Sequence, residues 1–123
     1  MGIHTTKAYM NSSINATSLT IEIDRIFNLA SRDTKSIEAM GLKLFEEGGE
    51  LAEAINHKVG NLPHKTMKEP LVGEVADVIN CVLSIYVKAY SELSTEQLYS
   101  LLCTQLHLKS NKWASIIGVK ETI

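Results

Sequence analysis

"LVGEVADVINCVLSIYV", residues 71–87, decides how the chain is read. The segment is apolar nearly all round. Its strongly polar side chains are Glu74, Asp77, Asn80 and Ser84. At about 100° per residue along an α-helix, these four fall on one narrow stripe. A helix this apolar is buried over most of its surface, so two carboxylates on it lose part of their hydration. Burying a charge is costly unless it is paired or ligates a metal. A stripe that faces water, or that Lys and Arg neutralise, is the plain alternative. The segment has no basic residue before Lys88, so any countercharge comes from elsewhere.

Upstream lies "LFEEGGELAEAI", residues 44–55, with Glu46, Glu47, Glu50 and Glu53. It belongs to a helix expected from about Thr34 to about Val59. The apolar face is expected to be Leu44, Phe45, Leu51, Ala52, Ile55 and Val59. Glu46, Glu50, Glu53 and His57 project toward the middle of the polar face, and Glu47 lies at its border. Glu53 reads as a solvated charge. Gly48 projects onto the apolar face, where a missing side chain lets a neighbouring helix approach. The Gly48–Gly49 pair weakens the helix by roughly 1 kcal/mol per glycine against Ala.

Glu47 and Glu50 are i, i+3 neighbours whose carboxylates can converge, and Glu74 and Asp77 have the same spacing. Two such helices packed side by side form a cage of four carboxylates. Oxygen ligands without imidazole or thiolate suit a hard cation, Mg²⁺ or also Mn²⁺. A di-iron bundle would want Glu-x-x-His motifs, which are missing from these two helices. The 23 residues between Glu50 and Glu74 leave room for a helix end, a turn and an antiparallel return.

The rest of the chain frames these two helices. Residues 1–17 are polar and aperiodic and read as a flexible N-terminal arm, with a helical domain over 18–123. Leu19, Ile23, Ile26, Phe27 and Ala30 set the rhythm of a first helix, and "SRDT" (31–34) supplies turn and cap residues. "VGNLPHK" (59–65) ends the second helix through Gly60 and Pro63. The start of the third is open: Thr66 and Glu69 fit a capping box, while Pro70 suits a first helical position. Ser94 and Gln97 form a cleaner capping box for a fourth helix over about 95–117, with Gly118 as its C-cap. No segment reads as a strand. The expected fold is all-α, a four-helix antiparallel, bundle-like arrangement.

Composition narrows the function classes. A chain of 123 residues suits one domain, and a net charge of -2 gives no bulk field toward nucleic acid or an anionic membrane. Neither is expected as a partner, and no run reaches the roughly 18 apolar residues of a membrane span. No apolar signal-peptide core opens the sequence. Cys81 and Cys103 lie in apolar runs and read as reduced core residues, which sets the expected compartment as cytoplasmic.

The two acidic helices resemble those of the MazG-like, all-α nucleoside triphosphate pyrophosphohydrolases. "KLFEEGGELAEAI" looks like that family's EExxE helix and "GEVADVINCVLSI" like its ExxD helix. The resemblance covers roughly residues 34–90, and "KSNKW" near the end of the fourth helix fits more loosely. It implies Mg²⁺-dependent cleavage of a nucleoside triphosphate between the α and β phosphates, giving a monophosphate and pyrophosphate, as in nucleotide-pool house-cleaning. Carried over by position, Glu47, Glu50, Glu74 and Asp77 would hold the metal. Glu46 would orient or deprotonate water, or play a structural part. Lys109, Asn111 and Lys112 would touch phosphate or only close the last helix. Asn80 would meet sugar or base, or stand as a satisfied core amide. Trp113 reads as core or interface packing ahead of base stacking. The resemblance also implies a homodimer or homotetramer. Two rivals share the fold: a phosphoribosyl-ATP pyrophosphohydrolase-like enzyme and a non-catalytic helical regulatory or adaptor module.

Overall fold

The computed structural model describes residues 15–62, 64–67 and 69–120. Residues 1–14 of the expected arm, and the helix-breaking part assigned to Pro63, lie outside them. Among the described residues there are four α-helices and no strand: α1 Ala16–Arg32, α2 Ile37–Lys58, α3 Leu71–Ala89 and α4 Thr95–Ile116. The chain divides into two compact units at Ser91 and Glu92, the first carrying α1 to α3 and the second α4.

Local chemistry sets each boundary. α1 starts earlier than Ser18 because Asn15 caps it: Ser18 N donates to Asn15 Oδ1 at 3.2 Å and Asn15 N donates to Ser18 Oγ at 3.5 Å. α2 starts after "SRDT" rather than within it. Asp33 still closes α1 by donating to Leu29 O, and Ser36 caps α2 by accepting from Ala39 N at 3.1 Å. α2 ends at Lys58 and is closed two residues on by Gly60, whose φ of 88° is open to glycine. There Gly60 N donates to His57 O at 3.1 Å and Asn61 N to Asn56 O at 2.9 Å, the two bonds of a Schellman motif. α4 has the expected Ser94–Gln97 capping box and ends in a second Schellman motif at Gly118.

At α3 the structure chooses between the two expected starts and alters both. The helix begins at Leu71, with Pro70 as N-cap and no side-chain cap. The residue before a proline is biased away from helical dihedrals. Glu69 therefore stays outside the helix and cannot close a box with Thr66.

α2 and α3 pack antiparallel. Glu50 lies beside Glu74, Glu47 near Asp77 and Lys43 near Cys81, so positions rise on one helix as they fall on the other. α1 packs against α3. Phe27 meets Tyr86 edge-on, with centroids 6.3 Å apart, and Tyr86 in turn meets Tyr90. Phe27, Ala30, Leu83 and Val87 are buried. Lys88 Nζ lies 3.1 Å from Asp33 Oδ2 and donates to Asp33 O at 3.0 Å, tying the end of α3 to the α1–α2 connection.

Three expectations about side chains are corrected. α2 turns Met40, Glu47 and Ala54 inward and leaves Phe45 83% exposed, with Ile55 and Val59 also outside. These three inward positions recur every seven residues in line with α3, whereas the wider apolar face lies about a third of a turn away. Among the described residues, no atom beyond α2's own neighbouring backbone comes within 4 Å of where a Cβ on Gly48 would stand, so neither α1 nor α3 packs into that notch. Cys81 is buried as expected, but Cys103 is exposed on α4, and Trp113 is exposed there too, which removes the core half of its expected role.

Candidate metal centre

Glu47 and Glu50 on α2 and Glu74 and Asp77 on α3 each offer one oxygen, and the four oxygens lie within 4.8 Å of one another. Two ligands on opposite sides of Mg²⁺ stand about 4.2 Å apart, and about 5 Å apart across Ca²⁺. The spacing of the four oxygens is therefore compatible with a divalent cation. Glu47 and Glu74 are 7% and 8% exposed. Glu47 Oε2 and Glu74 Oε2 are buried without a hydrogen-bond partner. Orphaned, desolvated carboxylate oxygens cost free energy that a cation would recover.

Burial and crowding raise the carboxyls of Glu50, Glu74 and Asp77. Burial, then a hydrogen bond shared with the Glu69 carboxyl, then neighbouring charges push the Glu74 carboxyl up to about 7. The same causes push Asp77 up to about 6. The Glu47 charge, then burial, raises Glu50 as well. Burial raises the Cys81 thiol, with the Glu47 charge adding to it.

Two participants escape the sequence reading. Lys43 Nζ lies 3.2 Å from Glu47 Oε1 and 3.9 Å from Glu46 Oε2, supplying countercharge from α2 itself. Its signal is the i, i+4 spacing to Glu47. Glu69 is a fifth carboxylate, which Glu74 and Asp77 address when protonated. Its Oε2 lies 2.7 Å from where a Cβ on Gly73 would stand, so the glycine leaves it room to fold over the first turn of α3. Nothing in a motif marks Glu69, because the loop places it there.

The cluster lies between two cavities. One, of about 320 Å³, is lined by Ile26, Leu29, Ala30 and Met40 on its apolar walls and by Glu47, Asp77, Asn80, Lys35 and Lys43 among its polar ones. The other, of about 300 Å³, is lined by Glu50, Glu74, Glu53, Glu69 and Lys65 among others. Glu46 stands outside the four-oxygen cluster, its side chain 60% exposed. Glu53 is not simply solvated: it ion-pairs with Lys65. Asn80 lines the first cavity as an exposed residue rather than a core amide. Lys109, Asn111 and Lys112 lie on α4, exposed, in the second unit, where Asn111 Nδ2 is 3.3 Å from His107 Nε2.

No family model, curated protein or solved structure matches the chain. The functional reading therefore rests on the acidic motifs and their geometry.

Proposed function

We propose that the chain is a Mg²⁺-dependent nucleoside triphosphate pyrophosphohydrolase. The observation that carries the reading is the pair of buried, unpartnered oxygens, Glu47 Oε2 and Glu74 Oε2, inside a four-carboxylate cluster. In this reading water adds across the α–β anhydride and releases a nucleoside monophosphate, pyrophosphate and a proton. Glu47, Glu50, Glu74 and Asp77 hold the ion, with Mn²⁺ as a substitute. Bound there, Mg²⁺ would screen the phosphate charge and make water a stronger nucleophile.

The remaining roles follow from position. The cavity beside Glu47 and Asp77 has apolar walls for a nucleoside, with Asn80 as a polar contact. Lys43 and Lys35 in the same cavity place positive charge where a polyanion needs it. Glu46, exposed beside Lys43, is free to orient or deprotonate water from the margin of the cluster.

The test is pyrophosphate release with Mg²⁺ over canonical and modified NTPs and dNTPs and phosphoribosyl-ATP, with Glu50→Ala and Asp77→Ala alongside. Turnover that falls at least a hundredfold in both variants is expected. Undiminished activity in both sinks the reading. Turnover of phosphoribosyl-ATP alone would move the chain to the histidine-pathway type of enzyme. Absence of both turnover and Mg²⁺-dependent nucleotide binding would favour an adaptor.

A further inference from the structure

We infer, resting on the pyrophosphohydrolase reading above, that the cavity beside Glu47 and Asp77 selects nucleotides by their base. It takes a base with an amino group on the edge farthest from the sugar, as in cytosine and adenine, and the Asp33 carboxylate reads that group.

The cavity has a direction. α2 and α3 run antiparallel, with Glu47 near Asp77 and Lys43 near Cys81. The same register sets Met40 level with Ser84, seven residues along each helix from the acidic pair, or roughly 10 Å at 1.5 Å per residue. All six residues line the cavity. Asp33 lines it too, beyond the level of Ser84. Lys88, one turn past Ser84, fixes it there through Asp33 Oδ2 at 3.1 Å and Asp33 O at 3.0 Å. The acidic cluster and Asp33 therefore stand at opposite ends of one cavity.

That length orders a nucleotide. With the phosphates at the cluster and Lys43, the sugar falls beside Asn80 and the base beside Met40 and Ser84. The apolar walls suit this order. Ile26, Leu29 and Ala30 come from α1, whose Phe27 meets Tyr86, so they flank the Ser84 end rather than the cluster. The base edge farthest from the sugar then faces Asp33.

The groups at that end differ in what they accept. The Ser84 hydroxyl donates or accepts as needed. Lys35 is an exposed, flexible donor that can turn to the phosphates or to water. Asp33 is held in place. The hydrogen bond from Lys88 keeps its carboxyl below the ordinary range, so at neutral pH it is an anion that only accepts. Lys88 and the Lys35 backbone amide fill part of its roughly four acceptor sites, and the rest are left for a ligand. An exocyclic amino group donates to them. Uracil, thymine, guanine and hypoxanthine bring a carbonyl to the same place and set its lone pairs against the anion. A mismatch of that kind rejects a substrate more strongly than a change of shape does.

The test compares CTP with UTP and ATP with ITP, which differ only along that edge. For pyrophosphate release with Mg²⁺, kcat/KM should favour the amino member of each pair by about tenfold to a hundredfold. Asp33→Asn should bring both ratios near one. Its amide can turn oxygen or nitrogen to the base, while the bond from Lys88 to the backbone carbonyl of residue 33 remains. NMR titration with CMP against UMP, and AMP against IMP, makes the same comparison without chemistry. Binding with the amino preference but no turnover would keep the base selection and sink the pyrophosphohydrolase. Equal turnover of both members of each pair would keep the enzyme and overturn the base selection. So would a preference that survives Asp33→Asn, or failure of all four monophosphates to bind.

Discussion

Lys43 Nζ approaches Glu47 Oε1 to 3.2 Å while Glu47 Oε2, on the same carboxylate, is buried with no partner. One oxygen of the carboxylate is paired with a cationic side chain and the other is not, which is the oxygen that a cation would take in the proposed function. Lys43→Met should therefore lower the melting temperature of the Mg²⁺-free protein by about 5 °C or less, as suits a partly exposed ion pair. Saturating Mg²⁺ should recover most of the loss, so the Mg²⁺-induced rise in melting temperature grows. Thermal melts of both proteins with and without Mg²⁺ measure this, and an unchanged Mg²⁺ increment would count against the cluster as an ion site.

The pH dependence has two parts of opposite sign. Glu74 and Asp77 titrate near 7 and 6 when folded, above their ordinary values of 4.5 and 3.8. The folded state then binds more protons than the unfolded state, so the stability these groups contribute is present at low pH and is lost as pH rises through about 4 to 7. Asp33 goes the other way: its hydrogen bond from Lys88 holds its carboxyl below 3.8, and that contribution is lost as pH falls through its folded value. Without Mg²⁺, stability should fall between pH 5 and pH 8, and the stabilisation by Mg²⁺ should be larger at pH 8. Urea unfolding at the two pH values, each with Mg²⁺ and with chelator, checks the sign. A Mg²⁺ effect that shrinks from pH 5 to pH 8 contradicts it.

Gly73→Ala separates Glu69 from the cluster. The new methyl would stand 2.7 Å from Glu69 Oε2, the far end of a flexible side chain, which can swing away. The helix gains propensity, so stability should rise by about 0.5 kcal/mol. The Glu74 carboxyl should titrate lower once Glu69 has left, which carboxyl NMR titration would read directly. No change in the Glu74 titration would mean that Glu69 does not govern it.

Phe27→Ala tests how α1 is held. Phe27 is 3% exposed and meets Tyr86 edge-on, so the truncation removes both burial and the aromatic contact. The expected cost is about 3–5 kcal/mol. Hydrogen exchange should show α1 losing protection before α2 does. Equal loss in both helices would show that α1 is no separable layer.

Much of this molecule is legible in its sequence, and the exceptions have physical causes. Glu47, Glu50, Glu74 and Asp77 converge as the i, i+3 spacings predict, because that spacing fixes direction within a helix whatever surrounds it. The ends at Gly60, Gly118 and Ser94 follow from backbone chemistry that is equally local. Glu69 and the inward face of α2 are different. Glu69 reaches the cluster through a proline-terminated loop whose path no spacing records. The apolar stripe of α2 reads as core because hydrophobicity tells that a surface wants covering, not which molecule covers it. Glu47 is buried instead, since it sits on the line to α3.

The four cluster residues also divide by outlook. Glu47 and Asp77 line one cavity, and Glu50 and Glu74 line the other. A cation held by all four would stand where the two cavities meet, so what each cavity could offer it would be set by different neighbours: Asn80, Lys35 and Lys43 on one side, Glu69 and Lys65 on the other.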